Sequence, residues 1–137
     1  MKLFVDTSVW SLALRRDAES ERPEVTRLRE ALESQEPIFT TGLVLQELLS
    51  GFSGPKARPL IIDRFAALPL IITDRNDHVA AAEIRNTCRR RGVQVGTIDA
   101  LLIQLCIRHE LMMLSVDEDF RHAARHVPLK TWSVRRG

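Results

Sequence analysis

MKLFVDTS, residues 1–8, decides how the rest of the chain is read. Lys2 to Val5 carries a short strand pattern. Asp6-Thr7-Ser8 then offers a carboxylate and two hydroxyls where a helix begins, with Thr7 or Ser8 placed to cap it. Trp10, Leu12, Ala13 and Leu14 continue that helix. A strand that runs straight into a helix start opens a β–α unit, and it leaves Asp6 at the carboxyl end of the strand.

Outward from there, strand and helix patterns alternate. Arg15 to Arg22 is highly charged and reads as a helix end or loop, and Pro23 suits the first turn of the next helix. Val25, Leu28, Ala31 and Leu32 recur at helical spacing, giving one apolar stripe. Pro37 precedes a strand at Ile38 to Thr40. Thr41 and Gly42 open a helix from Leu43 to Leu49 that carries Glu47 and stops at Ser50-Gly51. Phe52 to Pro59 is rich in turn residues, followed by a helix over Leu60 to Leu68 and a strand over Leu70 to Ile72. Thr73 or Asp74 caps a longer helix reaching Arg91, with Val79, Ala82, Ile84 and Cys88 as core positions and Gly92 as its stop. Thr97 is read as the cap of a helix to about His109, whose stripe includes Leu101, Leu102, Leu105 and Cys106. Asp99 falls in its first turn, where the helix dipole favours negative charge. Leu111 to Leu114 is a strand, Ser115 to Phe120 a turn, Arg121 to Arg125 a short helix, and Val127 to Val134 the last strand. Such alternation predicts a three-layer α/β fold on a mainly parallel sheet.

The 137 residues fit a single domain spanning 1–137, since a chain of this size buries roughly 70% of its unfolded surface. No apolar run approaches the ~20 residues that span a bilayer, and the start is unlike a signal peptide. The expectation is a cytoplasmic protein with no membrane partner. Cys88 and Cys106 stand alone inside helical patterns and read as packing thiols rather than a metal or disulfide framework. Twenty basic residues against 18 acidic ones give a net charge of +2, so the distribution of charge says more than its sum.

Asp6, Glu47, Asp99 and Asp117 each fall at a strand end or near a helix start. In an open parallel sheet those ends share one edge, and ligands bind beyond it where the strand order reverses. With strand order 3-2-1-4-5, Asp6 and Asp117 flank that point. An acid in a first helical turn is commonly only a cap or dipole partner. Several at one edge repel one another unless a cation lies among them or some stay protonated. Hard oxygen ligands favour Mg²⁺ or Mn²⁺, which points to metal-assisted phosphodiester chemistry.

In order along the chain, VDTSVW, ELLSG, GTIDALLIQ and LSVDEDF resemble the PIN-domain family, and more closely the VapC-type toxins of bacterial toxin–antitoxin pairs. The resemblance covers nearly the whole chain. It implies a five-stranded parallel sheet between helices, a metal-dependent endoribonuclease, a VapB-type antitoxin partner and a toxin homodimer. It also implies Asp6, Glu47, Asp99 and Asp117 as the catalytic acids. Asp6, Asp99 and Asp117 would be the ligands of Mg²⁺ or Mn²⁺, and Thr7, Ser8, Ser115 and Asp119 second-tier positions. Ser115 and Val116 replace the threonine and asparagine usual in the last segment; serine keeps a hydroxyl, whereas valine supplies no amide. Asp117 and Asp119 lie in one turn, and either is open as the nearer ligand.

Such a scheme needs no catalytic histidine, and His78, His109, His122 and His126 lie away from the acids in sequence pattern. An RNA substrate needs basic surface around the site. Arg85, Arg89, Arg90 and Arg91 form the densest patch, with Arg15, Arg16, Arg135 and Arg136 as lesser ones. With no tyrosine, five Phe and two Trp, there is little to stack single strands on. A structured RNA chosen by shape and charge is the expected substrate. The apolar sides of Val25 to Leu32 and Leu43 to Phe52 read either as core or as an antitoxin groove. Rival readings are a PIN-like domain that binds RNA or regulates without cleaving, and another acidic α/β phosphoryl-transfer enzyme. A haloacid-dehalogenase-like phosphatase would want a second aspartate after Asp6, where the chain has Thr7-Ser8. A receiver domain would want an acidic pair there.

Overall fold

The computed structural model of the chain describes residues 2–15 and 21–134. Strand β1 (Leu3–Val5) is buried along its whole length, as its all-apolar sequence dictates for a strand covered on both faces. It lies between β2 (Ile38–Phe39) and β3 (Met112–Leu114), with β4 (Lys130–Thr131) beyond β3, and every pairing is parallel. Leu3 pairs with Ile38 on one side and Met112 on the other. All carboxyl ends therefore share one edge.

Parallel neighbours require crossovers, and helices supply them. Between β1 and β2 run α1 (Thr7–Leu14) and α2 (Pro23–Glu33). Between β2 and β3 run α3 (Gly42–Gly51), α4 (Ala57–Ala66), α5 (Arg75–Arg90) and α6 (Thr97–Arg108), and α7 (Glu118–Ala123) precedes β4. Helices cover both faces of the sheet, as the alternating pattern predicts. Phe4, Val5, Val9, Leu28, Ile103, Leu105 and Leu114 are fully buried at the centre.

The sheet departs from expectation at both rims. Four strands form, in the order β2-β1-β3-β4, not five. The segment Leu70 to Ile72 contributes a single parallel bridge, Thr40 to Leu70. Pro69 has no N–H to donate, so the segment makes two bonds to Thr40, accepting at the Pro69 carbonyl (3.1 Å) and donating from Ile71 N (2.8 Å). Ile72 then turns out to 83% exposure. The last strand is only Lys130–Thr131, followed by one more bond from Trp132 N to the Met113 carbonyl (2.9 Å).

Helix ends also move. The turn and helix read at Ser115 to Arg125 become α7 starting at Glu118, because the Asp117 carboxylate caps the backbone N of Asp119 (2.9 Å). Thr97 is inside α6, whose N-cap is Gly96. Helix α4 begins at Ala57 and takes Pro59 into its first turn, where a missing N–H costs little.

On α5 the buried positions are Asp77, Ala81, Ile84 and Cys88; the expected core residues Val79 and Ala82 face outward, Val79 at 60% exposure. The inward place belongs to a carboxylate because Asp77 serves two helices. Its Oδ2 accepts the backbone N of Asp74, completing a capping box with Asp74. Its Oδ1 accepts from Gln104 (3.3 Å) and pairs with Arg108 (3.3 Å) on α6.

The apolar stripe of α2 is spent on the core. Val25, Leu28 and Ala31 are buried, and α2 packs on α1, so these positions of the stripe belong to the core.

Candidate active site

At the carboxyl edge, Asp6 holds the N-cap position of α1 but makes no side-chain cap bond. Its carboxylate is spent elsewhere. Ser8 Oγ donates to Asp6 Oδ2 at 2.8 Å and Ser115 Oγ donates to the same oxygen at 2.9 Å. The two hydroxyls stand 3.3 Å apart and accept in turn from Val116 N and Asp117 N. Asp6 is buried, and its Oδ1 has no hydrogen-bond partner among the described residues. This network binds the end of β1 to the turn after β3, where Asp6 N also donates to the Leu114 carbonyl (2.9 Å). Thr7 Oγ1 is buried, with no hydrogen-bond partner among the described residues.

The remaining acids reach the edge from three other elements. Asp99 lies in the first turn of α6, half-buried, and Glu47 stands exposed on α3. Asp117 leads into α7 with one oxygen engaged in its cap, and Asp119 is exposed in that helix. Their charges bear on Asp99. Burial first, then the charges of Asp6, Asp117, Glu47 and Asp119 in that order, push the Asp99 carboxyl up to about 6. Cys106, on the buried side of α6, has its thiol pushed up by burial and by Asp6. Both cysteines are free and buried, as expected of packing thiols.

No ion pair neutralises Asp6, Glu47, Asp99, Asp117 or Asp119 among the described residues. Carboxylate oxygens without a protein cation are the donors that hard divalent ions prefer. In chemistry, then, the set fits Mg²⁺ or Mn²⁺. In spacing it falls short of a closed shell, since no three acidic, histidine or cysteine side chains among the described residues lie close enough to hold an ion ready-made.

The four histidines are exposed, and Arg108 donates to His109. Arg85 is tied by its Nε to the Val95 carbonyl (2.9 Å), while Arg89 and Arg90 bond to Asn86 and Thr87. Arg16, Arg135 and Arg136 lie outside the described residues.

A model of the PIN domain matches residues 3–126. The chain belongs to the PIN-domain family. Solved structures agree with that assignment in fold. FitAcB from Neisseria gonorrhoeae is 18% identical with a TM-score of 0.72, the match covering 97% of each chain. VapBC2 from Rickettsia felis, bound to a DNA fragment from its promoter, is 20% identical with a TM-score of 0.73 over 96% of this chain and 98% of that one. VapC20 from Mycobacterium tuberculosis, a sarcin–ricin loop cleaving toxin, is 19% identical with a TM-score of 0.66 over 93% and 98%. No curated protein matches the chain.

The raised Asp99 carboxyl of this PIN domain makes a prediction about stability. Asp99 ordinarily titrates near 3.8 and here near 6. Below 3.8 both folded and unfolded chains are protonated there and no penalty arises. As pH rises towards 6 the unfolded chain has already lost the proton that the folded chain retains, so stability falls, and the full penalty stands above 6. In chelator, Asp99→Asn is expected to stabilise the protein above about pH 6 by about 1 kcal/mol, a figure reduced for the half-exposed position. It should change little below about pH 4. Thermal unfolding across that range reads it directly, and a destabilised variant at neutral pH would contradict it.

Proposed function

We propose that this PIN domain is a metal-dependent endoribonuclease and the toxin of a VapBC-type toxin–antitoxin pair. The observation that carries the reading is the acidic edge itself. Asp6, Glu47, Asp117 and Asp119 all act on the half-buried Asp99, and no basic side chain pairs with any of them among the described residues. Charge of this kind, drawn from four separate elements, does not stabilise a fold. It is arranged for a ligand.

Asp6, Asp99 and Asp117 are the groups that would hold Mg²⁺ or Mn²⁺, with Glu47 directly or through water. Asp117 is favoured over Asp119 because its charge acts on Asp99 more strongly. A divalent ion bound there supplies charge neutralisation at phosphate and a water of lowered pKa. The protein's own part is positioning. Ser8 and Ser115 fix one oxygen of Asp6 and leave the other free. Glu47, exposed and unpaired among the described residues, is able to take a proton from water. Arg85 and Arg89 to Arg91 offer positive charge to an RNA backbone, which gives most non-specific affinity.

Ser115→Ala removes a donor to Asp6 and the acceptor of Asp117 N. It is expected to slow cleavage about tenfold and to cost about 1 kcal/mol of stability. Ser8→Ala alone should do less, since the contact it loses from Val116 N is long (3.3 Å) against the 3.0 Å that Ser115 accepts from Asp117 N. Single-turnover rates with unchanged binding of RNA would check the positioning role; an unaltered rate in Ser115→Ala would refute it.

VapC20 is named as cleaving the sarcin–ricin loop, and VapBC2 and FitAcB as assemblies of two components. These relatives support a structured RNA as substrate and a cognate antitoxin as partner. Sequencing the 5′ ends of cellular RNA after brief induction of wild type and Asp6→Asn tests the function. New ends confined to a few sites in the wild type are expected. Identical end profiles for the two would overturn it.

A further inference from the structure

We propose that the cavity between α5 and the start of α6 holds one nucleotide of the bound RNA, flanking the phosphodiester that is cut. This rests on the nuclease reading and extends it from the acids to a subsite that selects the substrate. The cavity measures about 410 Å³, within the roughly 300–1,000 Å³ of pockets that take small ligands. Ala81, Ala82, Ile98 and Leu101 give it an apolar floor. Arg85, Asn86 and Thr97 also line it, and none of the residues around it is acidic. A flat base on the floor with its phosphate among these donors matches both characters. A purely apolar ligand would cover the guanidinium and leave it unpaired, which is costly.

Arg85 is held ready for an anion. Its Nε donates to the carbonyl of the buried Val95 at 2.9 Å, which fixes the plane of a half-buried guanidinium. Its two terminal nitrogens have no partner among the described residues. A guanidinium fixed in this way binds phosphate through parallel N–H bonds with little further loss of side-chain freedom. Beside it, the Asn86 carbonyl oxygen accepts from Arg89, which leaves the amide N–H groups for an acceptor on the edge of a base.

The cavity is continuous with the acidic edge. Thr97 and Ile98 line it, and Asp99 is the next residue of α6. Each helical residue turns by about 100°, so Asp99 faces the opposite side of α6 from Thr97 and Leu101. An RNA strand reaches from one side to the other across the start of the helix. Gly96 presents no side chain there, and a Cβ added to it would meet nothing within 4 Å. The nucleotide in the cavity is therefore a neighbour of the scissile phosphate and is not itself attacked.

Titration of the four ribonucleoside 5′-monophosphates into the full chain, followed by NMR in EDTA, reads the site without catalysis, and the same spectra confirm folding of each variant. Shifts at the Arg85 side chain and the Ile98 methyls are expected, with a Kd on the order of 1 mM for the preferred base. Inorganic phosphate should bind at least about tenfold more weakly. Arg85→Gln, and Ala82→Phe, which fills the cavity from an exposed position, should each raise the nucleotide Kd at least about fivefold. Asn86→Ala should level the differences between bases. Set in Asp6→Asn so that no cleavage intervenes, Arg85→Gln and Ala82→Phe should each raise the Kd of a hairpin RNA about tenfold. Loss of nucleotide binding in these variants with hairpin binding within about twofold of the Asp6→Asn parent would mark a free-nucleotide site and overturn the inference. A cavity that admits none of the four nucleotides, as when another protein surface fills it, overturns it too. All of these are binding measurements, so a wild type that binds the hairpin through the cavity and cuts no RNA refutes the nuclease reading and leaves the RNA subsite standing.

Discussion

Asp6→Asn is expected to reduce RNA cleavage at least about a thousandfold, a loss of ~4 kcal/mol of transition-state stabilisation. Asparagine keeps the shape, and its carbonyl oxygen still accepts from Ser8 or Ser115. The negative charge is what disappears. Because that charge also contributes to raising the Asp99 carboxyl, the variant relieves repulsion and should fold at least as well as the wild type. Activity and stability therefore move in opposite directions, which a variant that merely damaged the fold could not do. Single-turnover cleavage of a defined RNA, set beside a thermal melt, reads both. A rate within about tenfold of wild type would remove Asp6 from the reaction.

Asp77→Ala is expected to cost about 3 kcal/mol, lowering the melting temperature by about 10 °C, with no direct effect on chemistry. Asp77 is 1% exposed, and its two oxygens engage Asp74 N, Gln104 and Arg108. Truncation opens the cap of α5 and leaves a guanidinium and an amide facing a cavity, so the helix pair α5–α6 loses its polar tie. Denaturant melts with an unchanged slope would measure the cost. A loss below about 1 kcal/mol would mean that Arg108 finds full compensation in Asp74 and the Ile72 carbonyl, to which it also donates. Asp77 and Asp6 are both buried carboxylates, yet one is answered by a cation and the other by hydroxyls alone.

That contrast shows where the sequence was readable. Periodicity placed α2 and α6 because their stripes are apolar and their burial follows the pattern, as at Val25, Leu28, Leu102 and Leu105. On α5 it placed Ile84 and Cys88 inside, as they are, but also Val79 and Ala82, because a buried aspartate looks polar to any apolar count and Asp77 holds the inward place instead. The spacing of Asp74 and Asp77, two acids three residues apart at a helix start, was the signal for the capping box. Strand lengths were overdrawn at Leu70 to Ile72 and Val127 to Val134, since apolar residues at a sheet rim also fit loops that touch a neighbour once and turn away.

Asp6, Glu47, Asp99 and Asp117 were expected at one edge from position alone; in the structure the charges of Asp6, Asp117 and Glu47 raise the Asp99 carboxyl. What spacing could not give was the direction of each side chain. Asp6 faces Ser8 and Ser115, a pairing across 109 residues between Asp6 and Ser115 that depends on β1 and β3 being neighbours. Nor could it tell that Asp117 would spend an oxygen on the cap of α7.

The measurement closest to the centre of the proposal is cleavage of a structured RNA by purified wild-type protein in excess EDTA, followed by addition of Mg²⁺ or Mn²⁺ above the chelator. No cleavage in EDTA and recovery on addition of either ion is expected, with Asp6→Asn inactive under both conditions. Cleavage at full rate in EDTA, or recovery that Asp6→Asn shares, would contradict a carboxylate-held metal site at this edge.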